Sequence, residues 1–303
     1  MKILSIINPK SGSLNLSDVK QNLTNAAGVE GFDIFLSATP AEAVARLVDY
    51  SSQNYSALVI CGGDGTINPL LPMLAELKLP FWIYPTGTAN DFASAIGHSQ
   101  KLPDFKNQKS HSTKAVDLIH IGSKFVFVTM GGFGFPVEVC RKTNRMKQSH
   151  PLVRDRVRKA GPVLYPLTGL VLMLMKQPEN LKFRLHTEAQ SVVIDPWCLY
   201  FANQPFFAGN LTVVSDADSS DGVLDILYLN NRNRRERVAS LAALHRKNTP
   251  PKAELFREKR FVLENLTNMP VECFVDGEIG LIEEKNIEVW VDHGALRPID
   301  PSK

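Results

Sequence analysis

No two of the four cysteines are close in sequence: Cys61, Cys140, Cys198 and Cys273 lie tens of residues apart, and no CxxC occurs. That spacing indicates neither a zinc site nor a disulfide framework, and it points to a reducing compartment. No run approaches the ~18 consecutive apolar residues of a membrane-spanning helix. The opening "MKILSIINPK" has one short apolar run and reaches Asn8-Pro9 too early for a secretory signal, so a cytoplasmic protein is expected. Charge of one sign is scarce as well. With 34 Lys+Arg against 31 Asp+Glu, the net charge of +3 gives no argument for a nucleic-acid partner. GxxxxGK[ST] and GxGxxG are both missing, which excludes the commonest phosphate loops. There is no internal repeat and no low-complexity segment.

What is present describes a soluble globular chain. Hydrophobic residues make up 44% and charged residues 21% of 303 residues, a length that suits two domains better than one. The first third alternates apolar runs of strand length ("ILSII", "FDIFLS", "ALVIC", "FWIYP") with helix-like segments. That order reads as an α/β domain with a Rossmann-like parallel sheet covered on both faces. After the polar stretch "KLPDFKNQKSHSTK" the pattern becomes strand-rich, from "AVDLIHI" to "NIEVWVD", as in a β-sandwich-like domain. One helical island interrupts it, from about Pro136 to Gln177. The expected boundaries are 1–115 for the first domain and 116–293 for the second, with the tail 294–303 returning to the first.

Three loops follow strands of the parallel domain. In "CGGDGTIN" the glycines allow positive φ and close approach of the main chain, so that successive N–H groups can face an anion. The alternative is a tight strand-to-helix turn in which Asp64 only caps Thr66 or Ile67. "YPTGTANDFA" (84–93) repeats the arrangement with Gly87, Thr88, Asn90 and Asp91, and "INPKSGS" (7–13) places Asn, Ser and Gly after the first strand. Parallel sheets bind ligands at the carboxyl ends of their strands, where all three loops lie in this reading. Further on, "DADSSDGVLDI" carries carboxylates at 216, 218, 221 and 225, suited to a hard cation or to a solvated acidic hairpin turn. "FVDGEIG" reads as a hairpin turn with Glu278 outward, and periodicity does not decide its role. The segment from Arg141 to Lys176 begins basic ("RKTNRMKQ", then "RDRVRKAG" with Arg154, Arg156 and Arg158) and becomes apolar. It suits peripheral contact with an anionic membrane surface, or a solvated basic helix beside a core helix. The three tryptophans and the histidines read as structural.

In that order, NPKSG, GGDGTIN and PTGTANDFA resemble the nucleotide-binding half of the diacylglycerol kinase and sphingosine kinase catalytic family. The likeness runs over essentially the whole length. "VDLIHI" with Asp117, "GGFGF" with Gly132 and Gly134, "SSDGVLDI" at 219–226 and "VDGE" at 275–278 fall where the family's soluble bacterial lipid kinases carry similar segments. GGDGT alone is shared with the NAD kinases, whereas the ordered set with NDFA, DGxLD and DGE is specific to the lipid kinases.

The resemblance implies an ATP-dependent lipid kinase that transfers the γ-phosphate to a diacylglycerol-like or sphingoid-like hydroxyl in an interdomain cleft. Asn8, Lys10, Ser11, Gly12, Gly62, Gly63, Asp64, Gly65, Thr66, Gly87, Thr88, Asn90 and Asp91 are then the ATP-binding positions. Asp64 is also catalytic, and Glu278 is the base that takes the proton of the attacking hydroxyl. Mg²⁺ accompanies ATP. Asp221, helped by carbonyls near Asp218 and Val223, binds Mg²⁺ or Ca²⁺ in a site that orders the second domain. Two positions depart from the family pattern: Pro69 follows Asn68 where GGDGTxNE is usual, and Ser13 stands where a basic residue is frequent. A NAD kinase-like enzyme is the alternative within enzymes, and a catalytically degenerate nucleotide or lipid sensor the alternative outside them. Nothing in the sequence fixes the acceptor or the oligomeric state.

Overall fold

The structure, a computed structural model, describes residues 2–12, 14–28, 31–49, 55–106, 111–147, 181–207, 211–230, 233–246, 248–250 and 252–302. Ser13 and the basic residues Arg154, Arg156 and Arg158 lie outside them. The chain divides into two compact units, 1–118 with 293–303, and 119–292.

In the first unit the strands are β1 (Lys2–Ile7), β2 (Phe32–Leu36), β3 (Tyr55–Gly62) and β4 (Pro80–Pro85). They form a parallel sheet in the order β2-β1-β3-β4. Ile3, Leu4, Ile6 and Ile7 are all buried, which a parallel sheet covered on both faces demands. Helix α1 (Leu16–Ala27) starts where the Asn15 side chain accepts the Ser17 N–H, and it buries Val19 and Leu23 against Ile3, Ile7, Val59 and Trp82. Helix α2 (Pro40–Val48) begins with Thr39 capping the Glu42 N–H and proline in the first turn, where the missing N–H costs nothing. After β3 come α3 (Asp64–Ile67), a 3₁₀ turn (Asn68–Leu70), α4 (Leu71–Leu77) and, beyond β4, α5 (Asp91–Ala95). Pro69 therefore sits in a tight turn between two helices and not in a helix interior.

The second unit contains the second half of β5 (Val116–Ile121), then β6 (Phe125–Phe127), β7 (Met130–Gly134), α6 (Phe135–Lys147), β8 (Phe183–His186), β9 (Ser191–Ile194), β10 (Cys198–Ala202), β11 (Phe206–Phe207), β12 (Leu211–Thr212), β13 (Leu224–Leu229), α7 (Arg234–His245), β14 (Ala253–Glu258), β15 (Arg260–Asn265), β16 (Val271–Val275), β17 (Glu278–Ile282) and the first half of β18 (Asn286–Pro298). One antiparallel sheet runs β14-β13-β10-β7-β16-β17, and β18, β15, β8 and β9 follow one another in a second. Phe133, Phe201, Leu199 and Val275 of the first meet Phe183, Leu185, Phe261 and Val289 of the second in one apolar core. On the outer side of the six-stranded sheet, α6 and α7 contribute Val137, Cys140 and Leu244 to a separate cluster. The α/β-plus-sandwich reading is therefore correct. Helix α7 is an addition to it, because the sequence reading placed a single helical island in this region. The part of that island beyond 147 lies outside the described residues.

The second half of β18 belongs to the first unit, where Arg297 and Pro298 pair parallel with Pro80 and Phe81 of β4. His98 holds it there. Its Nδ1 accepts the Ile83 N–H at 2.9 Å, its Nε2 donates to the Ile299 carbonyl at 2.8 Å, and its ring stacks on Trp82 at 3.9 Å. With both nitrogens committed to neutral roles, burial lowers its pKa to about 4. Among the described residues, no helix is long and apolar enough to cross a membrane.

Candidate active site

The loops after β1, β3 and β4 lie side by side at the carboxyl edge of the parallel sheet and are tied by their own side chains. Asn8 donates from Nδ2 to Thr66 Oγ1 at 3.0 Å and accepts the Lys10 N–H on Oδ1 at 3.0 Å. Thr86 donates to Ser11 Oγ at 2.8 Å, and its N–H reaches the Gly62 carbonyl at 3.0 Å. Thr86 was not among the expected site residues, although it stands inside the "PTGTANDFA" segment that pointed to the loop.

Two glycines allow the loops after β3 and β4 to touch. A Cβ on Gly63 would lie 2.8 Å from the Gly87 Cα, and one on Gly87 would lie 2.6 Å from the Gly63 Cα. Asn90, at φ 53°, closes the third loop by pairing with Gly87 in both directions: its Oδ1 accepts the Gly87 N–H and its Nδ2 donates to the Gly87 carbonyl, each at 2.9 Å. Asp64 Oδ2 then accepts the Asp91 N–H at 3.4 Å, so the two carboxylates stand on adjacent loops. Lys10, Gly12, Gly65 and Thr88 are exposed around them. All thirteen residues read from the sequence as ATP-binding fall at the ends of β1, β3 and β4: in the loops that follow, at the last residue of β3 (Gly62), or in the first turns of α3 (Asp64, Gly65, Thr66) and α5 (Asp91). Together they offer main-chain N–H groups on glycine-containing turns, hydroxyls, an exposed lysine and two carboxylates, groups of the kind that can face an anion or a hard cation.

Asp117, fully buried at the start of β5, does not stand among these loops' hydrogen bonds. Its Oδ1 accepts the Gly294 N–H at 2.7 Å and meets His293 Nδ1 at 2.8 Å, which ties β5 to the returning part of β18.

The remaining expected residues belong to the second unit. Asp221 accepts the Val223 N–H at 2.9 Å and pairs with Arg257 at 2.5 Å, while Arg257 Nε reaches Asp225 at 3.1 Å. Asp218 accepts from the N–H and hydroxyl of Ser220. Asp225 is buried and its Oδ2 has no hydrogen-bond partner. Burial raises its pKa, an effect that Arg257 opposes and Asp221 reinforces. Arg257 thus already supplies positive charge to both Asp221 and Asp225. Among the described residues no cluster of three or more His, Cys, Asp or Glu is arranged as a metal centre, so any cation here would draw on main-chain oxygens as well.

Glu278 opens β17, exposed, directly after the two-residue turn Asp276–Gly277. The Asp276 carboxylate is enclosed. It accepts the N–H groups of Val128 at 2.8 Å, Thr129 at 2.8 Å and Met130 at 3.1 Å, together with the Thr129 hydroxyl. Burial raises its pKa and these hydrogen bonds pull it back. The motif's two carboxylates thus do different things, one anchoring the turn and the other presented by it.

The chain thus joins a parallel α/β unit, with three loops tied together at the carboxyl edge of its sheet, to an antiparallel sandwich unit. Residues 2–121 match the family model of the diacylglycerol kinase catalytic domain. It is 31% identical over 190 residues to a diacylglycerol kinase of Mycobacterium tuberculosis, an alignment spanning 59% of this chain and 56% of that protein. The chain thus spans little more than half the length of that relative. A diacylglycerol kinase of Staphylococcus saprophyticus is 25% identical over 287 residues, covering 91% of this chain and 88% of that protein. A solved structure titled as a diacylglycerol kinase from Bacillus anthracis str. Sterne superimposes with a TM-score of 0.68 at 18% identity, over 99% of this chain and 97% of that one, a likeness of fold.

Proposed function

We propose that this chain is a lipid kinase that moves the γ-phosphate of ATP to a lipid hydroxyl. The observation that carries the reading is the interlocking of the three loops through Asn8–Thr66, Thr86–Ser11 and the Gly63–Gly87 approach, with Asp64 and Asp91 on adjacent loops. In this reading the loop N–H groups and Lys10 offset the charge of the phosphates. Asp64 and Asp91 would hold the Mg²⁺ that accompanies ATP, and the ion would supply charge neutralisation at the phosphates. Glu278 takes the proton of the lipid hydroxyl while its oxygen bonds to the γ-phosphorus. The bond from that phosphorus to the bridging oxygen breaks, leaving ADP and a phosphorylated lipid. The acidic turn around Asp221 is a second cation site with a structural role, for Mg²⁺ or Ca²⁺. The basic segment that begins at Arg141 brings the enzyme to anionic membrane surfaces, where such acceptors reside.

A sensor that binds nucleotide without consuming it is the second reading, and Pro69 in the turn after GGDGTIN is what favours it. Incubation with ATP, Mg²⁺ and a total bacterial lipid extract separates the two. A lipid kinase produces ADP only when the extract is present, and mass analysis finds a lipid gaining one phosphate. A sensor protects the chain thermally with ATP and yields no product.

A further inference from the structure

Helix α6 turns one face towards the hairpin β16–β17. Arg141 pairs with Glu272 of β16 and with Glu138 one turn back. Cys140 and Asn144, one turn apart on the same face, both donate to a single acceptor. The Cys140 thiol reaches the Gly277 carbonyl at 2.8 Å and Asn144 Nδ2 reaches it at 3.0 Å. Gly277 and Asp276 form the turn with φ of 88° and 47°, the pair of left-handed residues that a two-residue hairpin of this kind requires. On its other side the turn is held by Asp276, with four donors from residues 128–130.

The Gly277 carbonyl lies in the same rigid peptide plane as the Glu278 nitrogen. Two donors on that oxygen prevent the plane from rotating without losing both bonds, so they set the direction in which the Glu278 side chain leaves the turn. Packing of a helix on a hairpin needs only apolar contact. A nearly buried thiol and a half-buried amide converging on one carbonyl, next to a carboxylate that stays exposed, is an arrangement that orients. We infer that Asn144, assisted by Cys140, is a positioning residue for Glu278, acting through the Gly277 carbonyl. This rests on the reading of Glu278 as the base of the transfer.

The test measures turnover with γ-labelled ATP and a total bacterial lipid extract for the full chain and its variants, with melting temperature as a check on folding. Asn144→Ala is expected to lower kcat by roughly 10- to 100-fold, the scale of a catalytic group displaced by about an ångström, with the KM for ATP unchanged. Cys140→Ser, which keeps a donor, retains more turnover than Cys140→Ala. This pair gives the same comparison should Asn144→Ala not fold. In the Glu278→Gln background Asn144→Ala lowers turnover no further, because the group it positions no longer takes a proton. Wild-type kcat in Asn144→Ala, equal losses in Cys140→Ser and Cys140→Ala, or a full additional loss in the Glu278→Gln background each overturns the inference. Full turnover in Glu278→Gln alone overturns instead the assignment of the base, and no lipid product from the wild type overturns the kinase reading beneath both.

Discussion

At positions 63 and 87 a single methyl group decides whether two loops can meet. Their backbones approach so closely that a Cβ on either would fall within 3.0 Å of the other's Cα. Gly87→Ala is therefore expected to part the loops and cost about 1–3 kcal/mol, the usual penalty of overpacking, with ATP affinity lost alongside. Chemical denaturation and nucleotide titration read the two effects. Asp64 offers the complementary probe, because its loop contributes little to the core. Asp64→Ala should keep the melting temperature within a few degrees while turnover falls by orders of magnitude, and near-normal turnover at saturating ATP contradicts its placement. His98 sets a pH dependence. Its pKa is lowered from 6.5 to about 4 in the fold, so below pH 6.5 the unfolded chain binds a proton that the folded chain refuses. The stabilisation is complete above pH 6.5 and is lost as pH falls through about 4, on the order of 3 kcal/mol by proton linkage. His98→Phe should be less stable at neutral pH and should show a flatter decline between pH 6.5 and 4. Parallel declines in wild type and variant contradict the assignment.

Among the elements, those with a strong period or a punctuating glycine were legible in advance. β1, β3 and β4 are apolar runs that end in Asn-Pro, Gly-Gly and Pro-Thr, and the segments that follow them are hydrogen-bonded to one another in the structure. Other elements were blurred. "VVIDPWCLYFAN" reads as one strand and folds as two, β9 and β10, because Asp195-Pro196-Trp197 breaks the ladder. Helix α7 was missed: "RRERVASLAALH" has a polar first turn and a short apolar remainder, and its only local signal is Asn233 capping the Glu236 N–H. No local pattern gives the ion pair between Arg257 and Asp221, 36 residues apart, since it depends on the pairing of β13 with β14. That pair bears on the acidic turn as a cation site. Mg²⁺ or Ca²⁺ should raise the melting temperature by mass action, and Asp221→Ala should abolish the increment. Equal increments in wild type and variant would place the cation elsewhere.

For the whole molecule, the two units divide the chemistry by residue type. The first collects glycines, hydroxyls and paired carboxylates at the edge of a parallel sheet, and the second presents one exposed glutamate from a turn fixed on both sides. In the proposed lipid kinase the first would serve as an anion cradle and the second as a base, and that proposal stands on their serving one reaction. The most direct measurement follows the label. With ATP labelled in the γ-phosphate, a total lipid extract and Mg²⁺, radioactivity should pass into the organic phase. With ATP labelled in the α-phosphate it should stay in water as ADP. Label from the γ-position appearing only as inorganic phosphate, or remaining in ATP while the nucleotide still binds, would contradict the assignment of this chain as a lipid kinase.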